Sequence, residues 1–309
     1  MKRLMLCMML ATLAGPVWSQ MGGGSFRSIP LFEDDEEDDL WEERRGFGIA
    51  VNIGVHFANK FSANLYNGAG GLVLQDDLQG VRSYTIAERL TEVNIQDIQF
   101  IQDFYGATGV TFPNDMNPYN MRYNPAVIYG LNIMYYFNDY TQLNINANQM
   151  RIRAEDQFTL IFQGTGQQQN GQNDTRLFPI WGEETRLHLT AGLRQGWEIN
   201  TGINWYLDGG MSMVAARIES NTIRVADRDF ELLIGANNPN QIVNYQPRTR
   251  TGFGWYAETG VSLVYNETYR IDGGIMMSRD RIRLESFDSM DYEDKKRLAN
   301  WTVFLRFGI

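Results

Sequence analysis

From Gly46 onward the chain alternates residue by residue. Phe47, Ile49, Val51, Ile53, Val55 and Phe57 are apolar, while Gly48, Ala50, Asn52, Gly54, His56 and Ala58 between them are small or polar. This two-residue period is that of a β-strand with chemically opposite faces, which a helix cannot display. The pattern recurs. Val127, Tyr129, Leu131, Ile133, Tyr135 and Phe137 form one such series, Leu143, Ile145 and Ala147 the next, and Leu187, Leu189, Ala191 and Leu193 a fourth. Ile203, Trp205, Leu207, Met211 and Met213 follow, then Phe253, Trp255, Ala257, Val261, Leu263 and Tyr265. The last two are Tyr269, Ile271, Ile275 and Met277, and Trp301, Val303, Leu305, Phe307 and Ile309. In the third series the apolar phase passes to Met150 and Ile152, so a β-bulge is expected near Asn148.

Eight strands are thereby expected, joined by connections of alternating length. Asn138-Asp139, the turn begun by Gln195-Gly196, and Asn266-Glu267-Thr268 are short. The stretches at about 59–123, 154–183, 219–251 and 280–297 are long. An even number of antiparallel strands with short turns at one end and long loops at the other is the plan of a bacterial outer-membrane barrel, with the short turns in the periplasm. Both termini then fall in the periplasm.

The first 19 residues fit this compartment. Lys2 and Arg3 precede an apolar run from Leu4 to Trp18, and Val17 and Ser19 suit a cleavage site, so residues 1–19 read as a secretory signal peptide. The single cysteine, Cys7, leaves with it. Residues 20–45 form a leader with the run Glu33, Asp34, Asp35, Glu36, Glu37, Asp38 and Asp39, whose mutual repulsion predicts an extended, disordered segment. It is either a solvated spacer or a docking tail for a basic periplasmic protein. The remainder, 46–309, is the barrel. A net charge of −10 and a mean hydropathy of −0.35 argue against nucleic-acid binding and would suit a soluble protein. A transmembrane barrel has the same averages, because only alternate positions are apolar. No later segment is a continuous apolar run of helix-spanning length.

Alternation by itself does not say which face points outward, since a soluble lipocalin-like barrel turns the same faces the other way. Three features favour lipid outside. The polar face carries Gly, Ser, Ala and Asn together with charges of both signs, and Arg186, Arg194, Arg270 and Arg306 are expected to pair there with Asp208, Glu258 and Asp272. The apolar face is uncharged across the strand centres. Phe47, Phe57, Tyr135, Phe137, Tyr265, Tyr269 and Trp301 mark strand ends, as interfacial girdles do. On this reading Ile53→Arg or Leu189→Arg impairs assembly and Asn52→Ser does not.

Eight strands enclose room for side chains only. His56, Arg186, His188, Asp208, Glu258, Asp272 and Arg306 are therefore expected to form a packed interior network and not a pore lining. A catalytic reading would set His188 beside Glu184 or Ser212 as base and nucleophile, but no spacing demands it. There is no Cys/His metal cluster and no phosphate-binding glycine loop, and Asp288, Asp291, Glu293 and Asp294 lack calcium-loop spacing. No cofactor is expected, and the expectation is a protein that is not an enzyme. In the first long connection Ile86, Leu90, Val93, Ile98, Ile101 and Tyr105 recur at helical spacing, which predicts an amphipathic helix over the barrel mouth.

The signal peptide, the strand Gly46–Ala58, the segment Phe61–Gly68 and the ending Arg306-Phe-Gly-Ile309 together resemble outer-membrane barrels of the Bacteroidetes type, OmpA/OmpX-like in size. The final strand resembles the assembly signal read by the barrel-insertion machinery, carried here by Trp301, Val303, Leu305, Phe307 and Ile309; the usual terminal phenylalanine stands two positions earlier. The resemblance implies an all-β, eight-stranded transmembrane barrel whose partners are outer-membrane lipid and that machinery. It supplies no catalytic residue. It implies either a structural or interaction protein working through loops or leader, or an accessory subunit of a type IX-like secretion machine. A lipid-modifying barrel enzyme is the third alternative.

Overall fold

A computed structural model describes residues 45–69, 73–74, 81–113, 118, 120–165, 174–235, 249–265, 269–281 and 299–309. The signal segment, the leader through residue 44 with its acidic run, the turn Asn266-Glu267-Thr268 and the acidic group Asp288, Asp291, Glu293 and Asp294 lie outside the described residues.

The alternating segments form eight long strands: β1 (Gly46–Phe57), β2 (Ala126–Tyr136), β3 (Thr141–Gln163), β4 (Asp174–Asn200), β5 (Ile203–Val225), β6 (Thr249–Tyr265), β7 (Tyr269–Arg281) and β8 (Asn300–Gly308). Each pairs antiparallel with the next, and β8 pairs with β1, so the sheet closes on itself. The closure can be walked. Gly260 pairs with Gly274, Gly274 with Phe304, Phe304 with Gly54, and Gly54 with Ile128. Ile128 pairs with Met150, Met150 with Arg186, Arg186 with Ala216, and Ala216 with Arg250. The circuit leaves β6 at Gly260 and returns to it at Arg250, ten residues along the same strand. That stagger obliges the strands to tilt, by about 35–45° in barrels of this kind.

The outer wall is apolar. Ile49, Val51, Ile53, Leu131, Ile133, Ile145, Leu193, Leu207, Leu263, Ile275, Val303 and Leu305 are all exposed, while Asn52, Asn132, Asn144, Asn146, Arg194, Asp208, Glu258, Asp272 and Arg306 are buried inside. A wall greasy outside and charged inside is stable in hydrocarbon and not in water. Phe47, Phe137, Tyr265 and Tyr269 ring the turn end of this wall, and Phe57 and Trp301 its loop end.

The polarity reverses partway up the longer strands. Along β3 the inward residues Gln142, Asn144, Asn146 and Asn148 give way to Met150, Ile152, Ala154, Phe158, Leu160 and Phe162, all buried. Outward, Leu143, Ile145 and Ala147 give way to Gln149, Arg151, Arg153 and Glu155. The bulge expected near Asn148 is absent: β2 and β3 hold one register from Tyr136↔Gln142 to Ile128↔Met150. The apolar residues keep the inward phase; it is the surroundings that change, from lipid outside to water outside. The irregularities of the ladder lie elsewhere, at Glu183/Glu184 and Glu198/Asn200.

Strand length follows from this reversal. A spanning strand needs about 9–11 residues, and β8 has 9, whereas β4 has 27 and β3 and β5 have 23 each. Much of the stretches expected as loops at 154–183 and 219–251 is therefore strand, and β4 continues past Gln195-Gly196 to turn at Thr201-Gly202. Beyond the bilayer, β3, β4 and β5 stand as an extension with its own apolar core.

The first long connection fills that core. Ala63, Tyr66, Ile86, Leu90, Ile101 and Met121 pack against Phe158, Leu160, Phe162, Phe178, Ile180, Ile218 and Ile223. The helix Ile95–Tyr105 is capped by Asn94, whose side chain accepts from Gln96 N, and ends at Gly106, where φ is 61°. Short strands cover the sides of the extension: Gly109–Thr111 and Arg122–Tyr123 pair with β3, and Arg228–Glu231 pairs with β5. This blunts edges that would otherwise present unpaired backbone. The Tyr66 ring lies directly on Gly182, where an added Cβ would stand 2.1 Å from the ring.

Ile53→Arg or Leu189→Arg places charge on the lipid face at a cost of roughly 2–4 kcal/mol near mid-bilayer, and should reduce the folded fraction seen by heat-modifiable gel mobility. Asn52→Ser should still insert, although with lower unfolding stability, because Asn52 bonds Asn148 and Arg306 at 2.9 Å each. Gly182→Val should displace Tyr66, leaving insertion intact and making residues 60–66 more susceptible to limited proteolysis.

Candidate functional site

The interior is layered. Strand alternation places every second residue inward, so a polar pair at i and i+2 meets on one face. Among the described residues four such pairs with both members buried bond directly: Gln142 with Asn144, Arg270 with Asp272 and Ser278 with Asp280 at 2.7 Å each, and Arg186 with Glu184 at 2.9 Å.

Nearest the turn end, Asp272 is the hub. It takes Arg194 and Arg270 at 2.7 Å each, with Arg306 at 3.6 Å. Arg306 also pairs with Glu258 at 3.2 Å, and the Arg194 guanidinium lies 3.2 Å above the Tyr206 ring. Asp208 meets no arginine: Tyr256 donates to it at 2.7 Å and Asn144 donates to its other oxygen. Above lies a ladder of amides, with Asn52 and Asn132 donating to Asn146, and Asn146 donating to Thr190 at 3.0 Å.

The next layer holds both histidines. His56 Nδ1 is 2.9 Å from Thr302 Oγ1, and His188 Nε2 is 3.7 Å from Asp280 Oδ2. Ser212 and Ser278 donate to the two oxygens of Asp280. Highest are Glu184 and Arg186, joined by Tyr123, whose hydroxyl donates to Glu184, and by Ser62. Tyr66, in the apolar cap above, is wholly enclosed, and burial pushes its hydroxyl well above the usual phenol range.

His56, Arg186, His188, Asp208, Glu258, Asp272 and Arg306 thus all stand inside the wall, but not as one cluster. Asp272, Arg306 and Glu258 meet; Asp208 is held by neutral donors; Arg186 and His188 belong to higher layers. Arg186 takes Glu184 and not the three carboxylates expected for it. His188 is directed to Asp280, Ser212 donates to that same carboxylate, and Glu184 is committed to Arg186 and Tyr123, so neither base–nucleophile pair is formed. Asp280 was not singled out in the sequence, and Glu184 was considered only as a partner for His188, though the i, i+2 pairs Ser278/Asp280 and Glu184/Arg186 were the available signal. Trp301, Val303, Leu305, Phe307 and Ile309 lie in a row on the lipid face, and Ile309 extends the β1 ladder through bonds of 3.0 and 3.2 Å with Ile49.

A shallow trough of about 820 Å³ lies on the outer wall, bordered by Ile53, Trp205, Val261, Ile275 and Leu305. It faces hydrocarbon and is separate from the polar interior. No group of three or more His, Cys, Asp or Glu side chains suited to a metal ion occurs among the described residues.

No family model matches the chain, and no curated protein does. Among solved structures it is similar to Neisserial surface protein A, at 9% identity and a TM-score of 0.40 over 85% of this chain and 96% of that one. It is also similar to Ail of Yersinia pestis, at 11% and 0.31 over 86% and 100%, and to the outer membrane protein OprG of Pseudomonas aeruginosa, at 8% and 0.35 over 86% and 98%. The fold assignment rests on the closed strand circuit and the facing of the wall.

Asp272→Asn should be the most damaging interior change. Removing one partner from a buried ion cluster costs about 3–5 kcal/mol, and here two close guanidiniums lose their shared carboxylate. Urea titration in a bilayer should show a lowered midpoint, while Ser278→Ala, which removes one neutral donor, should show a smaller loss of about 1–2 kcal/mol.

Proposed function

We propose that the chain is a non-enzymatic outer-membrane barrel, its turn end in the periplasm, that acts as a structural or interaction protein by displaying the extension built on β3, β4 and β5. One observation carries this reading. Arg186, Arg194, Arg270 and Arg306 each reach a buried carboxylate and the loop end is filled by the apolar cap, so the accessible chemistry lies outside the bilayer. A solute would have to displace buried ion pairs to pass.

The orientation is supported by charge. Just beyond the apolar band at the loop end, Arg151, Arg153, Arg217, Arg279 and Arg281 point outward; Glu183 at the same level pairs with Arg151 and Arg153, and Glu155 and Glu219 stand one step farther along β3 and β5. Guanidiniums at that level suit the phosphate-bearing surface of an outer leaflet. Asp139 and Glu198 stand at the opposite rim.

The accessory-subunit reading keeps one specific support. β1 starts at Gly46 at the turn end, so the acidic run 33–39 is tethered there, where a basic periplasmic partner or a secretion complex would meet it. The Bacteroidetes-type, type IX-like assignment is the finer form of this reading. A lipid-modifying enzyme has less support, since both histidines are enclosed by the wall.

Reconstitution in planar bilayers should give no stable conductance steps; steady open channels of porin size would reject the packed interior. Crosslinking and affinity capture from intact envelopes should recover the same partners with residues 33–39 deleted if the extension is the working surface. Loss of those partners on deletion would favour the leader-docked subunit.

A further inference from the structure

The turn-end mouth of the barrel contains a small polar cavity of about 30 Å³. Arg194 and Arg270 line it, with Asn204, Tyr206, Ser262 and, at the rim, Asp139. The Arg194 side chain is 2% exposed, and among the described residues two of its three nitrogens, Nε and Nη2, have no hydrogen-bond partner, while Nη1 is engaged by Asp272. Ser262 Oγ and Asn204 Oδ1 are also buried without partners among the described residues, and the two residues face each other across β5 and β6.

Such a set asks for an occupant. Buried donors left unmet are costly, and those on a charged group more so. Water would meet the donors, and the volume suffices for one. The charge distribution separates the possibilities. Both guanidiniums lie on the cavity wall, whereas Asp208, Glu258 and Asp272 do not. Arg270 is satisfied by Asp272, Tyr136 and Gln142, at 2.7, 3.2 and 2.7 Å. Asp272, its two close arginines and its contact with Arg306 leave no carboxylate oxygen for the remaining face of Arg194. Asp139 is the only carboxylate on the wall; it sits in the β2–β3 turn at the rim and already has a partner of its own.

We propose that this cavity is a binding site for one small monoanion, a halide or a carboxylate group, held by Arg194 Nε and Nη2 and by the Ser262 hydroxyl. The Asn204 amide, turned over, would add its NH₂ as a further donor. Two sources offer this chemistry: free anions in the periplasm, and the carboxylates of residues 33–39, which are joined to β1 at this same end of the barrel.

The test uses the full mature chain in detergent, with its unfolding temperature followed at constant ionic strength as isethionate, which carries no carboxylate, is exchanged for chloride, bromide or formate. A saturable rise of several degrees is expected, because a ligand that binds only the folded state stabilises it. Crystals grown in bromide should show anomalous density beside Arg194. Arg194→Gln should abolish the response. Should that variant fail to fold, Ser262→Val, which removes one donor and fills part of the cavity, should weaken the apparent affinity at least tenfold.

Deletion of residues 33–39 separates the sources. Equal response with and without the run identifies a free anion. A response appearing only after deletion identifies a leader carboxylate as the resident. No response in either chain, with no bromide density in the cavity, overturns the proposal and leaves the site to water. Retention of the full response in Arg194→Gln overturns it as well.

Discussion

Backbone hydrogen bonding without water is the constraint from which the rest of the molecule follows. In hydrocarbon each N–H and C=O must find a protein partner, and a sheet satisfies this only when its last strand meets its first. Here the pairing of β8 with β1 closes the ladder, the ten-residue stagger sets the tilt, and eight strands fix an interior as wide as the side chains it holds. A narrow interior leaves no place for unpaired charge, so the inward arginines and carboxylates are driven into contact. The Asp272 hub and the Glu184–Arg186 pair are consequences of closure.

Where water replaces lipid, the same wall has to serve a different solvent. The β3 strand does so without any break in its register, by exchanging the chemistry of its two faces between Asn148 and Arg151. Below that level apolar residues face outward, and above it they face inward and need something to cover them. The first long connection does this with Tyr66, Leu90 and Ile101, and added short strands protect the flanks of β3 and β5. The cap is thus tied to the extension through one shared apolar core, and Tyr123 and Ser62 tie it in turn to Glu184 and Arg186 in the ring below.

This division bears on function. The membrane ring is occupied with its own internal pairing and offers lipid an apolar surface. The extension and the turn-end mouth are the parts whose chemistry reaches water. The histidines, which attract attention in a chain with only two, lie between these regions and serve the packing of the middle layer.

The strands, their number and the composition of their two faces were legible in the sequence because a β-strand displays its facing directly as a two-residue period. Gly46–Phe57 needs no partner to be read. The helix Ile95–Tyr105 was legible in part through its 3.6-residue period, carried by Ile98, Ile101 and Tyr105, whereas Ile86, Leu90 and Val93 belong to separate helical turns that end at the extended Asn94. What escaped were quantities set by position around the ring. Met150 and Ile152 looked like a slipped register because polarity was taken as a fixed label for one side, when it depends on the solvent at that height. Which arginine meets which carboxylate was likewise undetermined: Arg194 reaches Asp272 across 78 residues and Arg306 reaches Asn52 across 254. Local sequence determined a chain of strands with one greasy face. Only closure of the ring, which fixes stagger and height together, decided who meets whom inside it, because those contacts are made between residues that neither period nor spacing brings near.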